Sequence, residues 1–212
     1  EDSQDIILGR GAFGMVYQGK WQHVTVAIKE LQLHQLSRPV LRELMSEAEV
    51  MTQLRHPNIV GFFGVCAEPN HYSLVMEYMP KGSLDQYLHS DITITWPQRW
   101  QMATDISRGL FHLHHHDPEI LHRDLKSPNI LLDEQNKAKL TDFGLAKIRT
   151  ETRNTTKIEP GKLAGSLLWM APELFTMMAK ATKATDIFAL AVVLWELAAQ
   201  KYPYEHVMDI SM

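Results

Sequence analysis

The sequence predicts an α+β fold with two lobes: a small, mostly antiparallel β lobe that carries one long helix, and a larger, mainly helical lobe. Residues 5–30 alternate β-type runs with glycine, a pattern typical of strands joined by tight turns. From Ser83 onward, apolar residues recur at helical spacing. Residues 79–82 are flexible in composition and therefore suit a hinge. We assign residues 1–78 to the small lobe and residues 83–212 to the large lobe.

The composition is that of a soluble globular protein with enough apolar residues for a core. The chain has 212 residues, of which 45% are hydrophobic. A net charge of −4, with acidic and basic residues interspersed, argues against a surface for DNA or RNA. The longest apolar run, residues 187–195, is too short to span a membrane.

The single cysteine, Cys66, excludes a disulfide framework and favours a reducing compartment. The first residues have neither the basic start nor the apolar centre of a secretory signal. We therefore expect a cytoplasmic protein. Because Cys66 lies in an apolar stretch, we also expect its thiol to be buried.

The first two strands are joined by a glycine-rich segment with glycine at positions 9, 11 and 14. Glycine lets backbone N–H groups approach phosphate oxygens closely. Dinucleotide-binding folds use the same spacing, but there it opens a helix, whereas residues 15–19 have the pattern of a strand. A plain hairpin with turn glycines remains an alternative.

The next strand ends in a lysine beside a small residue. Side chains alternate between the two faces of a strand, so Ala27 and Lys29 share one face. A small residue there can admit a flat ring, and the ammonium can reach phosphates. A lysine that ends a strand is more often simply solvated, so Lys29 gains a function only from its neighbours.

An amphipathic helix follows Ser37, which is a suitable helix cap. On this helix Glu47 lies at the edge of the apolar stripe and is our ion-pair candidate for Lys29. Glu43, one turn earlier, is a weaker candidate. The stripe itself consists of Leu41, Leu44, Ala48 and Met51.

Two further strands over residues 59–66 and 72–78 complete the predicted sheet. Met76 near the end of the last strand is compatible with ordinary core filling. In the large lobe we predict helices over residues 83–89, 97–116 and 184–200. The core stripe of the second helix is predicted to be Trp100, Ala103, Ile106, Leu110 and Leu113.

Four histidines, at positions 112 and 114–116, crowd the end of the second of these helices. Cationic or polar residues are favourable at this end of a helix dipole. A zinc site is the less favoured alternative, because no cysteine or acidic ligand set accompanies the histidines.

Two acidic loops follow, separated by one short apolar run. Residues 121–129 read L-H-R-D-L-K-S-P-N and place Asp124 and Asn129 between apolar anchors. The apolar run 130–132 has β character, and ten residues later Asp142 lies in a second turn. The pattern predicts that both loops face one cleft.

Together these segments resemble the eukaryotic-type protein kinases, in the order and on the element types that this family uses. The resemblance includes the glycine pattern, V-A-I-K, H-R-D-L-K-S-P-N, D-F-G, and the segment G-S-L-L-W-M-A-P-E at residues 165–173. The residues of these motifs are most similar to those of the tyrosine-kinase-like group, which mostly phosphorylates serine and threonine. We expect residues 1–212 to form one such domain, incomplete at its carboxyl-terminal end because the family fold continues through further helices.

The resemblance implies a role for each charged residue of the cleft. Asp124 would accept the proton of the substrate hydroxyl, and Lys126 would meet the transferring phosphate. Lys29, paired with Glu47, would bind the other phosphates of ATP. Asp142 and Asn129 would bind Mg²⁺. Nucleotide contacts are implied for Gly9, Gly11, Gly14, Val16, Ala27, Lys29, Met76, Glu77, Met79 and Leu131.

The implied partners are ATP and protein substrates. Tyrosine kinases usually lack a lysine at position 126, so Lys126 and Ser166 favour serine or threonine as acceptor. A phosphothreonine in the loop that follows Asp142 could pair with Arg123, and this implies self-association for phosphorylation of that loop. The candidate acceptors are Thr150, Thr152, Thr155 and Thr156.

The late helix departs from the family pattern, which usually reads D-x-W-S-x-G. Asp186, which is expected to hold the backbone of the first acidic loop, is present, but Ala191 replaces a glycine where close packing is usual. The rival class is an ATP-binding scaffold without transfer activity, a pseudokinase. The usual mark of that class is loss of the lysine or of an aspartate, and Lys29, Asp124 and Asp142 are all present.

Overall fold

The computed structural model describes residues 6–11, 14–31, 48, 51–68, 71–143, 167–176 and 180–205. Five of its strands form one antiparallel sheet in the order β1-β2-β3-β5-β4. The mostly antiparallel small lobe predicted from the sequence is therefore confirmed. The strands are β1 (Ile6–Gly11), β2 (Gly14–Trp21), β3 (Val24–Leu31), β4 (Phe62–Glu68) and β5 (His71–Glu77).

The β2–β3 hairpin shows why these residues form strands. Its two-residue loop, Gln22 and His23, has positive φ at both positions, 47° and 67°, as in the turn that best matches strand twist. The following strand is rich in β-branched residues and buries Val26, Lys29 and Leu31 on its two faces. A hairpin therefore joins the glycine-rich segment to the strand that ends near Lys29.

Three helices of the large lobe begin with capping boxes. At Ser83 and Thr182 the cap hydroxyl oxygen accepts a bond from the backbone N–H three residues later. At all three caps the side chain three residues later accepts from the backbone N–H of the cap residue. The helices are α1 (Leu84–Leu88), α2 (Trp96–His114) and α3 (Lys183–Ala199), capped by Ser83, Thr95 and Thr182.

A short hairpin and two 3₁₀ turns complete the described part of the large lobe. The turn Ser127–Asn129 leads directly into β6 (Ile130–Leu132), which pairs with β7 (Ala138–Leu140). The second turn is Pro172–Phe175. The hairpin β6–β7 therefore joins the two acidic loops predicted from the sequence, since one loop precedes β6 and the other follows β7.

The core of the large lobe lies against one face of α2, which packs on β7 and α3. Met102, Ile106, Leu110 and Leu113 are at most 1% exposed. Trp100 was predicted to belong to this stripe, and that prediction is wrong, because its side chain is 68% exposed. Trp100 precedes Met102 by two residues, which corresponds to a rotation of about 200° around the helix axis. This rotation turns the indole of Trp100 away from the core.

The predicted burial of Cys66 is also wrong, because the thiol is exposed. β4 is an edge strand, and its last three residues are all exposed. The strand predicted from residue 59 begins only at Phe62, and Ile59 instead forms a bridge with Leu140. Ala191 is exposed as well, so its methyl group is not enclosed by the described residues.

Of the helix predicted after Ser37, the structure describes Ala48 and residues 51–53, which are helical. Glu43 and Glu47 lie outside the described residues. Thr150, Thr152, Thr155, Thr156 and Ser166 also lie outside them. None of the helices in the described ranges is long and apolar enough to cross a membrane.

Candidate active site

The sheet of the small lobe brings four predicted site residues onto one face. Lys29 on β3 pairs with Val16 on β2, and Ala27 pairs with Met76 on β5. Directly opposite residues of antiparallel strands point to the same side, and Ala27 and Lys29 are two residues apart. Val16, Ala27, Lys29 and Met76 therefore line the same face of the sheet.

The ammonium of Lys29 contacts the second acidic loop. Its Nζ lies 2.5 Å from Asp142 Oδ1, and the lysine is only 2% exposed. A buried ammonium needs such a partner, because burial of an isolated charge is costly. Lys29, which is predicted to bind phosphate, and Asp142, which is predicted to bind the metal, are thus adjacent. The ion pair predicted between Lys29 and Glu47 involves a residue outside the described ranges.

Asp124 is oriented by two neighbours from its own loop. Its Oδ2 lies 3.1 Å from Lys126 Nζ and accepts a hydrogen bond of 3.1 Å from Asn129 Nδ2. The same amide also donates to the backbone carbonyl of Asp124 at 2.7 Å. The carboxylate is therefore fixed on one oxygen by a cation and an amide of the loop 122–129, hereafter the catalytic loop.

The two predicted metal ligands lie on connected backbone. The N–H of Thr141, which precedes Asp142, donates to the carbonyl of Asn129 at 3.0 Å. Asp142 itself has a positive φ of 61°, which few residues other than glycine adopt. Carboxylate and amide oxygens are the hard ligands that Mg²⁺ prefers, so the donor set fits this ion.

Asp186 at the start of α3 accepts hydrogen bonds from the backbone of the catalytic loop. Its Oδ2 accepts from the N–H of His122 and its Oδ1 from the N–H of Arg123, each at 2.8 Å. This is the contact that the sequence predicted. The Nε2 of His114 also lies 2.8 Å from Asp186 Oδ2, which ties the end of α2 to the same carboxylate and was not predicted.

His122 is fully enclosed beneath the second acidic loop. Its ring meets Phe143 edge-on, with centroids 6.3 Å apart. Neither ring nitrogen has a hydrogen-bond partner among the residues that the structure describes. Burial lowers the pKa of the imidazole below its ordinary value, which favours its uncharged form.

Glu77, the last residue of β5, contacts both lobes just before the hinge. One carboxylate oxygen accepts from the N–H of Gly61 at 3.0 Å, and the other lies 2.5 Å from Lys139 Nζ on β7. The neighbouring Met79 is 6% exposed. Leu131 forms a bridge with Ser83 just after the hinge. The resemblance implied nucleotide contacts for Glu77 and Met79 but not this side-chain contact.

The glycine-rich hairpin closes as predicted. Gly9 pairs with Val16, and Gly11 pairs with Gly14, whose φ is 146°. A Cβ added at Gly9 would meet no atom of the described residues within 4 Å. With respect to these residues Gly9 borders open space, as a backbone that approaches a ligand requires.

A second concave region lies away from these residues. A groove of about 860 Å³ runs along the outer side of α2 and is lined by Trp100, Phe111 and Leu194 among others. No predicted site residue lines it. The charged cleft, rather than this apolar groove, therefore has the groups that phosphate chemistry needs.

Sequence reasoning did not single out the buried carboxylate of Glu196. It is 0% exposed and accepts hydrogen bonds from Ser127 Oγ at 2.8 Å and from Trp169 Nε1 at 2.6 Å. Glu196 follows Ala189 and Val193 at helical spacing on the buried face of α3. An acidic residue on an apolar stripe was the available signal.

The chain is similar to several known proteins. A family model described as protein tyrosine and serine/threonine kinase matches residues 3–212. The chain is 42% identical to the probable serine/threonine-protein kinase drkC of Dictyostelium discoideum, over 93% of this chain and 26% of that protein. It is 37% identical to the serine/threonine-protein kinase CTR1 of Arabidopsis thaliana, over 93% of this chain and 24% of that protein. The chain thus spans about a quarter of the length of these relatives.

Proposed function

Because the chain belongs to the protein tyrosine and serine/threonine kinase family, we propose that it transfers the γ-phosphoryl group of ATP to serine or threonine hydroxyls of proteins. The observation that carries this proposal is the arrangement at Asp124, whose Oδ2 is held by Lys126 and Asn129 at 3.1 Å each. A carboxylate oriented in this way can receive a hydroxyl proton, while the adjacent ammonium offsets phosphate charge.

In the proposed reaction the substrate hydroxyl oxygen forms a bond to the γ-phosphorus, and the bond between that phosphorus and the β–γ bridging oxygen breaks. ADP leaves, and the hydroxyl proton passes to Asp124. Lys126 stabilises the charge of the transferring group as a point charge. Lys29, which is already directed at the second acidic loop, supports the phosphates that stay with ADP.

Mg²⁺ is the metal that the donor set of Asp142 and Asn129 fits, and it would neutralise phosphate charge in this cleft. The link between Thr141 N–H and the Asn129 carbonyl keeps these two ligands on one rigid piece of backbone. The adenine would contact the face formed by Val16, Ala27 and Met76, together with Leu131, Glu77 and the hinge residue Met79.

The choice of serine or threonine over tyrosine depends on Lys126, which tyrosine kinases usually lack. The relatives drkC and CTR1 are named serine/threonine-protein kinases, which supports the same choice. The cytoplasm, with its ATP and protein substrates, is the compartment that we propose for this reaction.

The test is transfer of radiolabel from Mg-ATP to a generic protein substrate, followed by identification of the labelled amino acid. We expect phosphoserine or phosphothreonine, and we expect Asp142→Asn to abolish transfer while the exposed Asp91→Asn does not. Thermal stabilisation by nucleotide without transfer would instead favour an ATP-binding scaffold. Label on tyrosine alone would refute the proposed acceptor.

We further propose that a phosphothreonine of residues 150–156 pairs with Arg123, a side chain exposed beside Asp124, and that a second copy of the chain transfers the γ-phosphoryl group of ATP to that threonine. Phosphatase treatment should then lower activity several-fold, and Arg123→Ala should be insensitive to the same treatment. Equal activity before and after dephosphorylation of the unmodified chain would refute this regulation.

A further inference from the structure

Glu196 joins two chain segments that are distant in sequence. Ser127 belongs to the catalytic loop, and Trp169 lies in the segment 167–171 that leads to the turn Pro172–Phe175. One carboxylate oxygen accepts from the Ser127 hydroxyl and the other from the Trp169 indole. A single carboxyl group on α3 therefore fixes the distance between these segments.

Ser127 occupies a sensitive place in the catalytic loop. It lies between Lys126 and Asn129, the two residues that orient Asp124, and its own side chain is fully buried. Its carbonyl also accepts the N–H of Ile130, which closes the 3₁₀ turn. A displacement of Ser127 would consequently move both groups that hold the Asp124 carboxylate.

The segment 167–171 is anchored at the same point. Trp169 is 5% exposed and Ala171 is fully buried, whereas Pro172 and Glu173, which follow, are exposed. The indole N–H of Trp169 donates its one hydrogen bond to Glu196. The position of this segment relative to the catalytic loop thus depends on the Glu196 carboxylate.

We propose that Glu196 is a positioning residue for phosphoryl transfer: it holds Ser127 and Trp169 as one unit, so that a hydroxyl presented along segment 167–171 stays in register with Asp124. This inference rests on the proposed kinase activity and adds a residue to it. Displacement of about 1 Å at a reacting pair is enough to slow a reaction substantially, even when the fold is intact.

The burial of Glu196 indicates a role other than stability. Burial raises the pKa of its carboxyl to about 7, even though the hydrogen bonds from Trp169 and Ser127 lower it, and the charge of Asp85 raises it further. Apolar residues of similar size often replace buried acids at no cost in stability. An acid that is costly to bury and is bonded on both oxygens is therefore well explained by positioning.

The test compares three substitutions in the full chain by steady-state kinetics with Mg-ATP and a protein substrate. Glu196→Leu keeps the approximate side-chain volume but cannot accept a hydrogen bond. We expect kcat of this variant to fall about tenfold or more. Glu196→Gln can accept from the indole and donate to the serine hydroxyl, so we expect it to recover most of that loss. Ser107→Ala, which removes a hydroxyl bonded to Ala103 on α2, is the control and should leave kcat unchanged. Nucleotide affinity should stay within about twofold in all three variants, because the face that contacts adenine is untouched.

A second measurement decides the question if Glu196→Leu fails to fold. Ser127→Ala and Trp169→Phe each remove one donor, and we expect their effects on kcat to be strongly non-additive, since both act through one carboxylate. Additive effects, or a Glu196→Leu enzyme with unchanged kcat, would overturn the inference while leaving the kinase activity in place. Absence of transfer by the unmodified chain would instead overturn the proposed function, and this inference with it.

Discussion

Arg123 has a backbone angle that a long side chain seldom adopts, with φ of 65°. This left-handed conformation costs an arginine roughly 1–2 kcal/mol. The surrounding contacts maintain it, because Asp186 accepts from the N–H groups of both His122 and Arg123. The conformation turns the chain sharply just before Asp124, and α3 therefore determines where that carboxylate points.

Replacement of Asp186 by asparagine should therefore impair both stability and transfer. Asparagine directs an NH₂ group at one of the donors that now bond to the carboxylate, and a buried donor without an acceptor costs about 1–3 kcal/mol. We expect the free energy of unfolding in urea to fall by that amount and kcat to fall by about tenfold or more. Asp91→Asn is the matched exposed control. An unchanged unfolding midpoint would contradict this account of the loop.

Glu196 makes a prediction about pH. Its carboxyl has a pKa of about 7 in the folded protein, raised by burial, against an ordinary value of 4.5. Between these pH values the folded chain binds the proton more tightly than the unfolded chain, so stability from this group falls as pH rises from about 4.5 to about 7.

The difference in unfolding free energy between the unmodified chain and Glu196→Gln isolates this effect, because glutamine does not titrate. We expect the unmodified chain to lose up to roughly 3 kcal/mol relative to the variant across that range, with no further loss above it. Urea unfolding at several pH values measures the difference. Parallel pH profiles for the two proteins would show that the carboxyl titrates normally.

The sequence predicted the site residues that lie in recognisable motifs, and missed Glu196, which lies in none of them. Asp124, Lys126 and Asn129 lie within six residues and contact one another. Ser127 and Glu196 are 69 residues apart, so their contact depends on how the loop packs on α3. Local motifs carry no information about such packing.

At the scale of elements, strand and helix types followed from periodicity, while exposure of individual side chains did not. The hairpins and capped helices formed where alternating and helical patterns predicted them. Cys66 and Trp100 were misplaced because exposure depends on which strand lies at the sheet edge and which side of α2 meets β7. The position of a strand in the sheet and the packing face of a helix are both properties of the tertiary structure.

The contact between Glu77 and Lys139 joins the strand before the hinge to β7 of the large lobe. Both side chains are partly accessible, at 32% and 14%, so the ion pair itself contributes no more than about 1 kcal/mol to stability. Its larger effect is to fix the position of the Glu77 carboxylate, which also accepts the N–H of Gly61.

Lys139→Met should accordingly leave the unfolding free energy within about 1 kcal/mol but loosen the hinge. We expect the Gly61 amide to exchange with deuterium several-fold faster, because Glu77 loses one of the contacts that fix it. Lys81→Met, which removes an exposed contact with Asn136, is the matched control. Equal exchange at Gly61 in both variants would remove this role for Lys139.

At the scale of the whole molecule, the small lobe supplies Lys29 and the large lobe supplies Asp142, and the two charges meet. The fold class was predictable because strands and helices are segregated along the chain. The pairing of Lys29 with Asp142 was not predictable, because it depends on how the lobes are oriented. Proximity of these groups supports the proposed binding of a triphosphate in the cleft.

The most direct test of the central claim compares phosphoryl transfer by the unmodified chain and by Asp124→Asn, at saturating Mg-ATP and protein substrate. Asparagine preserves the shape of the side chain but cannot accept the hydroxyl proton. We predict that kcat falls by at least about 10²-fold while thermal stabilisation by nucleotide is unchanged. Transfer that continues at the original rate in Asp124→Asn would contradict the assignment of Asp124 as the base.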